Sequence, residues 1–212
     1  MNDKMKELFQ RYPALASCEE SLNAALSAME KTYRDGGTIL LCGNGGSCAD
    51  CDHIVGELMK GFLSLRPMDD ATKHTLTERC PEDGAKMAER LQRGIPAISL
   101  AAHAGVMTAF SNDVDPDLVY AQLVYAFARP HDLVMGISTS GNSKNVVAAL
   151  KMAAAMGLST VGLTGGKDCA MDQICDVTVK APETETFKVQ EYHLPIYHYL
   201  CAALEETLFE KA

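Results

Sequence analysis

The chain has 212 residues, of which 47% are apolar, so it can bury a core of ordinary size within one domain. Its formal net charge is −9 and it has no Lys/Arg cluster, which argues against nucleic acid and anionic membranes as direct partners. Neither an apolar signal segment nor a stretch long enough to span a bilayer is visible, so we expect a cytoplasmic protein. Several of the eight cysteines lie in apolar runs and are expected to be reduced core residues.

The first 36 residues are predicted to be helical, because apolar residues recur at helical spacing from about Ala14 to Arg34 before Gly36 and Gly37 end the pattern. A repeated order then follows: an apolar run, a turn rich in Gly or Ser, and a helical segment. This order predicts a three-layer α/β/α sandwich around a parallel five-stranded sheet. The predicted strands are Thr38–Cys42, Ala97–Leu100, Leu133–Ile137, Thr160–Leu163 and Val177–Lys180.

Two segments depart from this order. The segment Ser64–Gly94 contains turn-like sequences and a short predicted helix, Ala85–Gln92, and is interpreted as an insertion in one strand-to-helix connection. A long C-terminal helix is predicted from about Thr186 to Phe209, and Pro195 within it indicates either a kink or a later start. Without an internal repeat or a linker, we expect a single domain over residues 1–212.

The segment 138–143 reads Ser-Thr-Ser-Gly-Asn-Ser and lies between a predicted strand and a helical run. This arrangement directs free backbone N–H groups and the positive end of a helix dipole into one small space. The hydroxyl groups add neutral donors, so a phosphate could be held there without Lys or Arg. The simpler alternative is a capped helix N-terminus that binds no ligand.

The segment 43–47, Gly-Asn-Gly-Gly-Ser, is a second turn between a strand and a helix. It is not a dinucleotide fingerprint, because Cys48 occupies the third glycine position, and no Gly-Lys-Ser/Thr follows as in a P-loop. Its glycines let the backbone pass close to a ligand, while Asn44 and Ser47 offer side-chain hydrogen bonds. A tight structural turn remains the alternative. Together the two turns indicate a ligand site at the carboxyl ends of the strands.

Ionisable side chains lie on two of the predicted helices. His53 and Glu57 are one helical turn apart after the 43–47 turn, and Gln190 and His198 lie on the C-terminal helix. An aldose–ketose isomerisation needs a base, an acid and a means to stabilise an enediol, and Glu57 and His198 fit base and acid. If all four side chains converge, their N and O ligands would suit zinc. Spacing leaves convergence open, since residues eight apart differ by roughly 80° around an ideal helix.

These motifs together resemble those of the phosphoheptose isomerases, in the sugar isomerase (SIS) domain superfamily. The resemblance covers most of the chain and fails mainly over Ser64–Gly94. The motifs that carry it are the 43–47 turn with Asp50, His53-x-x-x-Glu57, Asn112-Asp113, the 138–143 turn, and Gln190-Glu191-x-His193 with His198 beyond.

The resemblance implies a flavodoxin-like SIS fold and an enzyme that interconverts sedoheptulose 7-phosphate and a heptose 7-phosphate. It implies that Glu57 and His198 are the catalytic pair and that His53, Glu57, Gln190 and His198 hold zinc. It also implies a homotetramer with active sites at subunit interfaces. Contacts to the sugar phosphate are expected from Asn44, Gly45, Gly46, Ser47, Glu57, Asn112, Asp113, Ser138, Thr139, Ser140, Ser143 and Gln190.

Two other functions compete with an isomerase. A non-catalytic relative of the superfamily keeps the fold but replaces the carboxylate at the position of Glu57, so a regulatory or scaffolding module that binds sugar phosphates is one alternative. The presence of Glu57 and His198 favours an enzyme. The second alternative is redox chemistry at the C-x-x-C formed by Cys48 and Cys51, where a helix N-terminus would stabilise a thiolate.

Overall fold

A computed structural model describes residues 2–210 of the chain and contains one sheet of five parallel strands. The strand order is β2-β1-β3-β4-β5, which is the order of flavodoxin-like folds. Leu41 at the centre of β1 pairs with Ser99 on one side and Met135 on the other. The predicted fold class is therefore confirmed. The strands are β1 Ile39–Gly43, β2 Ala97–Ser99, β3 Leu133–Ile137, β4 Ser159–Gly165 and β5 Val177–Ala181.

Helices cover both faces of this sheet, and each face has its own hydrophobic core. One core includes Leu41 and Met135 and packs under α1, α2, α3 and α9, whereas the other includes Leu40 and Val134 and packs under α7 and α8. Burial on both faces explains why the strands are continuous apolar runs. The helices are α1 Asp3–Arg11, α2 Glu19–Arg34, α3 Gly46–Met59, α4 Asp70–Arg79, α5 Gly84–Arg90, α6 Ala104–Asp113, α7 Val119–Phe127, α8 Lys144–Ala155 and α9 Thr186–Glu205.

The N-terminal helical segment is divided into more pieces than expected. The predicted helix Ala14–Arg34 is a 3-10 turn, Pro13–Cys18, followed by α2, and a separate helix α1 precedes it. The side chain of Asn2 caps α1 by accepting a hydrogen bond from the Met5 N–H at 2.8 Å. α1 lies within the segment predicted to be helical, but it buries only two side chains, so its short apolar pattern did not show it as a separate helix.

The inserted segment forms a helical hairpin of α4 and α5. The predicted helix Ala85–Gln92 corresponds to α5, but α4 was missed because it buries no side chain and therefore has no apolar stripe. Pro67 and Gln92 form an antiparallel bridge that closes the base of the hairpin. The insertion lies between α3 and β2, in a helix-to-strand connection and not in the predicted strand-to-helix one, and the α4–α5 hairpin is joined to the rest of it through Pro67 and Gln92.

α9 begins at Thr186, as predicted, and continues through Pro195 to Glu205. The alternative of a later start is wrong. A π-helical turn, Glu206–Glu210, replaces the last predicted residues of the α-helix. Between β2 and β3, the predicted single helical segment is two helices, α6 and α7. Across residues 2–210, no helix combines the length and the apolar character needed to cross a bilayer.

Candidate active site

The two predicted turns lie side by side where β1 and β3 end. β1 leads into α3 on one face of the sheet and β3 leads into α8 on the other, so this is the point where the chain connections change direction. The side-chain amides of Asn44 and Asn145 exchange two hydrogen bonds, at 2.8 and 3.0 Å. This pair joins the turn before α3 to the first residues of α8, and both helix N-termini therefore face the same crevice.

The 138–143 turn is organised around its hydroxyl groups. The Ser138 hydroxyl lies 2.9 Å from that of Ser143 and 3.4 Å from that of Ser140. Ser143 is the N-cap of α8, but its side chain makes no capping hydrogen bond to the helix. Gly141 has a φ of +64°, which favours glycine. The N–H of Val146 donates to Oδ1 of Asn145 at 3.0 Å, so the N–H groups of Lys144 and Asn145, the first two residues of α8, are the ones that can face a ligand, as at an anion site on a helix N-terminus.

The 43–47 turn is held closely against α9. Gly45 has a φ of +55°, and a Cβ added at Gly46 would lie 2.0 Å from Nε2 of Gln190. The second glycine is therefore needed for the close approach of Gln190. Ser47 is buried, whereas Asn44 is exposed at the crevice. Gln190 also lies close to Asp50, one turn further along α3, and lowers the pKa of that carboxyl.

Side chains of α3 and α9 form a chain of polar contacts that reaches the predicted base. The Tyr197 hydroxyl donates to Asp50 at 3.3 Å, and its oxygen lies 3.0 Å from Nδ1 of His53. Nε2 of His53 lies 3.3 Å from Oε1 of Glu57, and Lys60 donates to Oε2 of Glu57 at 2.8 Å. Because Tyr197 gives its proton to Asp50, its oxygen favours a proton on Nδ1 of His53. Nε2 of His53 faces Glu57 in either tautomer, and a hydrogen bond between them needs a proton on one of these two atoms.

Burial controls the protonation of Asp50 and Tyr197, the two members of these polar contacts that lie farthest from Glu57. It raises the pKa of Asp50, although hydrogen bonds from Tyr197 and Gln190 lower it in part. It also raises the pKa of Tyr197, and the Asp50 charge adds to this effect. The tyrosine hydroxyl therefore keeps its proton and remains a donor to Asp50.

The predicted acid, His198, lies beside His53. The two ring centroids are 5.0 Å apart, and the Phe62 ring lies 5.6 Å from that of His198. Nε2 of His198 is buried and has no hydrogen-bond partner in the described part of the chain. Burial and the neighbouring His53 lower the pKa of His198, while Glu57 opposes them. The imidazole is thus kept neutral, with an unsatisfied nitrogen near the predicted base.

A cavity of about 370 Å³ lies on the α1 side of His198. Its walls include Phe62 and His198 together with the charged side chains of Lys4, Glu7 and Arg11. It adjoins the predicted acid rather than the two turns. No part of the sequence analysis had associated α1 with the site.

The predicted metal ligands are only partly brought together. His53, Glu57 and His198 are neighbours, but Gln190 lies against Gly46 and Asp50. Over residues 2–210, no group of three or more His, Cys, Asp or Glu side chains is arranged to hold a metal ion. His53 and Glu57 face each other directly, which is why their nitrogen and oxygen atoms do not point to a common centre.

The remaining predicted site residues are divided between the crevice and the surface. Thr139 lies in the 138–143 turn, where its carbonyl accepts a hydrogen bond from the Gly165 N–H at 3.2 Å. Asn112 and Asp113 are exposed at the end of α6 and hydrogen-bond to each other rather than to either turn. Their role in substrate binding therefore stays a prediction.

The C-x-x-C at the start of α3 lacks the features of a reactive pair. Burial raises the pKa of Cys48, and it raises the pKa of Cys51 well above its usual range. Neither thiol is stabilised as a thiolate, so the geometry does not support the redox alternative.

Sequence reasoning missed several side chains that support the site. Tyr197 was part of the C-terminal helix without an assigned role, and Arg66 lay unnoticed in the inserted segment. Arg66 and Glu205 form a fully buried ion pair at 2.7 Å. Asp50 was part of a motif but had no assigned role. Its position one helical turn before His53 was the signal that could have indicated a role in the site.

The chain is similar to known proteins in sequence and in fold. A family model described as the SIS domain matches residues 85–165. A phosphoheptose isomerase of Aneurinibacillus thermoaerophilus is 35% identical over 99% of this chain and 96% of its own, and that of Roseiflexus sp. (strain RS-1) is 37% identical over 85% and 79%. The structure of phosphoheptose isomerase GmhA from Neisseria gonorrhoeae superposes with a TM-score of 0.73 and 27% identity, covering 95% of each chain.

The strand order, the hydroxyl-lined turn at a helix N-terminus and the paired ionisable helices define a sugar-phosphate isomerase of the SIS class. Within that class, the extent and level of identity to its relatives show that the chain belongs to the phosphoheptose isomerase family.

Proposed function

We propose that the protein converts sedoheptulose 7-phosphate into a heptose 7-phosphate by proton transfer through an enediol. The observation that carries this proposal is the meeting of Glu57 and His198 at the ring of His53, although they belong to different ends of the chain. A base and an acid that lie this close can act on neighbouring atoms of one substrate.

In this proposal the two turns hold the phosphate. The first two N–H groups of α8 and the hydroxyls of Ser138 and Ser140 donate hydrogen bonds to its oxygens. At the start of α3 the N–H of Gly46 can join them, because those of Ser47 and Cys48 already donate to carbonyls of the 43–47 turn. This mode of binding suits a chain with a net charge of −9, because it needs no basic cluster. The two helix dipoles point their positive ends at the anion.

Glu57 removes a proton from the carbon next to the carbonyl, and the neutral imidazole of His198 donates its N–H proton to the carbonyl oxygen, which leaves a transient imidazolate. The enediol then returns its hydroxyl proton to His198, and Glu57 gives its proton to the neighbouring carbon, which completes the aldose. His53 and Lys60, which contact Glu57, fix the orientation of the carboxylate. This orientation is kept because both oxygens of the carboxylate have partners.

The length of α3 supports a long sugar phosphate as substrate. Glu57 lies eleven residues after Gly46, which is about 16 Å along the axis at 1.5 Å per residue. Helical side chains lean towards the N-terminus, so the carboxylate reaches back towards the phosphate end. An extended seven-carbon phosphate spans roughly 10 Å at bond lengths near 1.5 Å. A triose phosphate would be too short to reach both ends.

We also propose zinc as a cofactor, held by His53, Glu57, Gln190 and His198, which requires His53 and Glu57 to turn from each other towards the ion. Two imidazoles and a carboxylate are a donor set that zinc accepts, and the unpartnered buried Nε2 of His198 supports a missing ligand there. When bound, the ion would polarise the carbonyl of the substrate. Metal analysis of the purified protein and of His53→Ala checks this: stoichiometric zinc that is lost in the variant is expected, and metal-free protein would contradict it.

Assembly into a homotetramer with sites at subunit interfaces is a further part of the proposal. Three large apolar side chains that follow the predicted base are exposed, namely Met59 (54%), Leu63 (62%) and Leu65 (80%). Exposed apolar surface of this kind next to a site is typical of an interface. The expected mass by light scattering is four times 22.9 kDa, and a monomer at micromolar concentration would contradict this part.

We place the enzyme in the cytoplasm. All eight cysteines lie within residues 2–210 and are free thiols, which supports a reducing compartment. The acidic chain without a basic cluster supports a small phosphorylated sugar as its partner, rather than nucleic acid or a membrane.

The decisive experiment follows deuterium incorporation in heavy water from a panel of ketose phosphates of three to seven carbons. We expect exchange with sedoheptulose 7-phosphate, and a loss of about 10³-fold in Glu57→Gln with sugar-phosphate binding retained in calorimetry. Exchange at the wild-type rate in Glu57→Gln would reject Glu57 as the base. Binding without exchange by the wild-type protein, with or without added zinc, would instead indicate a non-catalytic sugar-phosphate module.

A further inference from the structure

Arg66 lies behind the predicted base and is fully buried. Its guanidinium donates to the backbone carbonyl of Leu58 at 2.6 Å and to that of Glu57 itself at 3.2 Å. These are carbonyls of the last turn of α3, which contains no basic residue of its own. A cation at this end of a helix satisfies free carbonyls and opposes the negative end of the helix dipole. Arg66 thereby fixes the turn that carries Glu57.

The partner of Arg66 is Glu205, near the end of α9, which is 1% exposed. Its carboxylate accepts from Nε of Arg66 at 2.7 Å and from the backbone N–H groups of Phe62, Leu63 and Ser64 at 2.8, 2.7 and 3.1 Å. Burial raises the pKa of this carboxyl, but the hydrogen bonds outweigh it, so the pKa lies below its usual range. Glu205 is therefore a charged acceptor, and the four donors named here all belong to the segment 62–66 that follows α3.

This segment also contacts the predicted acid. The Phe62 ring, whose backbone N–H is held by Glu205, lies 5.6 Å from the ring of His198. His198 and Glu205 lie two turns apart on the same helix. One buried ion pair thus fixes the end of α3 that carries the base and the aromatic ring that packs on the acid.

From this geometry we infer that Arg66 and Glu205 are positioning residues for the isomerisation. Both side chains are buried away from the surface, so they act through their neighbours, by holding Glu57 and His198 at the distance that proton transfer requires. The inference rests on the proposed function, in which these two groups exchange protons with the sugar. A displacement of about 1 Å in a reacting group can cost 100-fold in rate, which is the effect that the ion pair prevents.

Stability alone does not explain the pair. Burying two charges costs desolvation energy that their attraction only partly returns, and apolar replacements of buried pairs are often as stable. The pair also makes directional hydrogen bonds that apolar side chains cannot make. The planar guanidinium donates to Glu205 and to two backbone carbonyls in fixed directions.

The test compares kcat and KM in Arg66→Lys and Glu205→Gln at a temperature where circular dichroism shows both to be fully folded. Arg66→Lys keeps the positive charge but loses the planar set of N–H donors. Glu205→Gln keeps an oxygen acceptor but loses the negative charge. We expect kcat for exchange at the sugar to fall 10- to 100-fold in each, with KM within about twofold. Glu205→Gln is the milder change, so it serves alone if Arg66→Lys fails to fold.

Leu123→Ala is the matched control, since it opens a cavity in the other core, on the far side of the sheet. We expect it to lower the unfolding temperature without lowering kcat. A wild-type kcat in either folded variant, or an equal fall of kcat in Leu123→Ala, would overturn the inference. If Glu57→Gln loses exchange while Arg66→Lys and Glu205→Gln keep it, only this inference fails. Exchange at the wild-type rate in Glu57→Gln would reject the proposed function instead.

Discussion

The 138–143 turn and the acid–base cluster between α3 and α9 are built in different ways. In the turn, hydroxyls from one run of six residues contact each other at 2.9 and 3.4 Å, and the backbone supplies the donors for an anion. In the cluster, His53 and Glu57 meet Tyr197 and His198 from the far end of the chain. The turn is therefore a local structure, whereas the cluster depends on how two helices pack.

This difference predicts how each region responds to mutation. A turn made of backbone donors and several equivalent hydroxyls loses little when one side chain is shortened, but it depends strongly on its unusual backbone angles. A cluster of single side chains has no such redundancy. Loss of one member should remove its chemical role completely.

The largest effect is expected for His198→Asn, which removes the predicted acid. General acid–base groups contribute about 10²- to 10⁴-fold, so kcat should fall by that factor while calorimetry still detects sugar-phosphate binding. His74→Asn is the matched control, because His74 is exposed on α4, where it pairs with Glu78 at the surface. Equal kcat values for the two variants would show that the cluster does not carry the chemistry.

The next effect is the pH dependence of the free energy of unfolding, which we expect to depend on His193 in α9. Burial lowers the pKa of His193 to about 4, from an unfolded value near 6.5, so the unfolded chain binds a proton that the folded protein cannot. Neutral His193 therefore makes its full contribution to the free energy of unfolding above about pH 6.5. As the pH falls towards 4, this free energy decreases by about 3 kcal/mol. Urea unfolding at pH 7.5, 6 and 5 should show a smaller pH dependence in His193→Gln. An unchanged slope would mean that His193 is protonated in the folded state.

A smaller effect, specific to binding, is expected for Gly141→Ala in the turn. The residue has a φ of +64°, and a Cβ there would lie 2.2 Å from Sγ of Cys169. Backbone strain of at least 1 kcal/mol together with this clash should raise KM about tenfold or more, with kcat little changed. Ser140→Ala, which removes one of several hydroxyls, should raise KM at most about fivefold. A larger effect in the serine variant would show that side chains rather than backbone dominate this turn.

The smallest effect is expected when the α4–α5 hairpin is removed. α4 buries no side chain and α5 buries only Gly84 and Ala88, so replacing residues 68–91 by a short Gly-Ser turn between Pro67 and Gln92 should change kcat less than twofold. The variant keeps Gln92, whose side chain accepts from the Gly61 N–H at 2.7 Å. A large loss of activity would indicate that the hairpin completes a site in another copy of the chain.

The sequence was sufficient to predict the features that depend on local patterns. Four strands were found because each is a short apolar run next to Gly, Ser or a small residue, and β5 because a β-branched run precedes Pro182. The 138–143 turn was found because six neighbouring residues supply its chemistry. The pair of Glu57 and His198 was proposed from residue type and resemblance. Only the packing of α3 on α9 brings them to one place.

Other features left no local signal. Arg66 is a charged residue in a segment without apolar periodicity, where a solvated side chain is the usual expectation, yet it is fully buried. Its partner Glu205 lies almost at the other end of the chain. Tyr197 fits an apolar helix equally well with or without its hydrogen bonds, so its contacts to Asp50 and His53 could not be inferred. Contacts of this kind are properties of the folded chain.

The reciprocal amide pair of Asn44 and Asn145 has a consequence for the kinetics of association. Because each amide satisfies the other, the two halves of the anion crevice keep their spacing without help from a bound molecule. An incoming phosphate therefore loses little free energy to the ordering of the protein, and capture can proceed as the docking of one rigid body onto another. The rate of capture should then depend on diffusion and charge rather than on a slow rearrangement of the backbone.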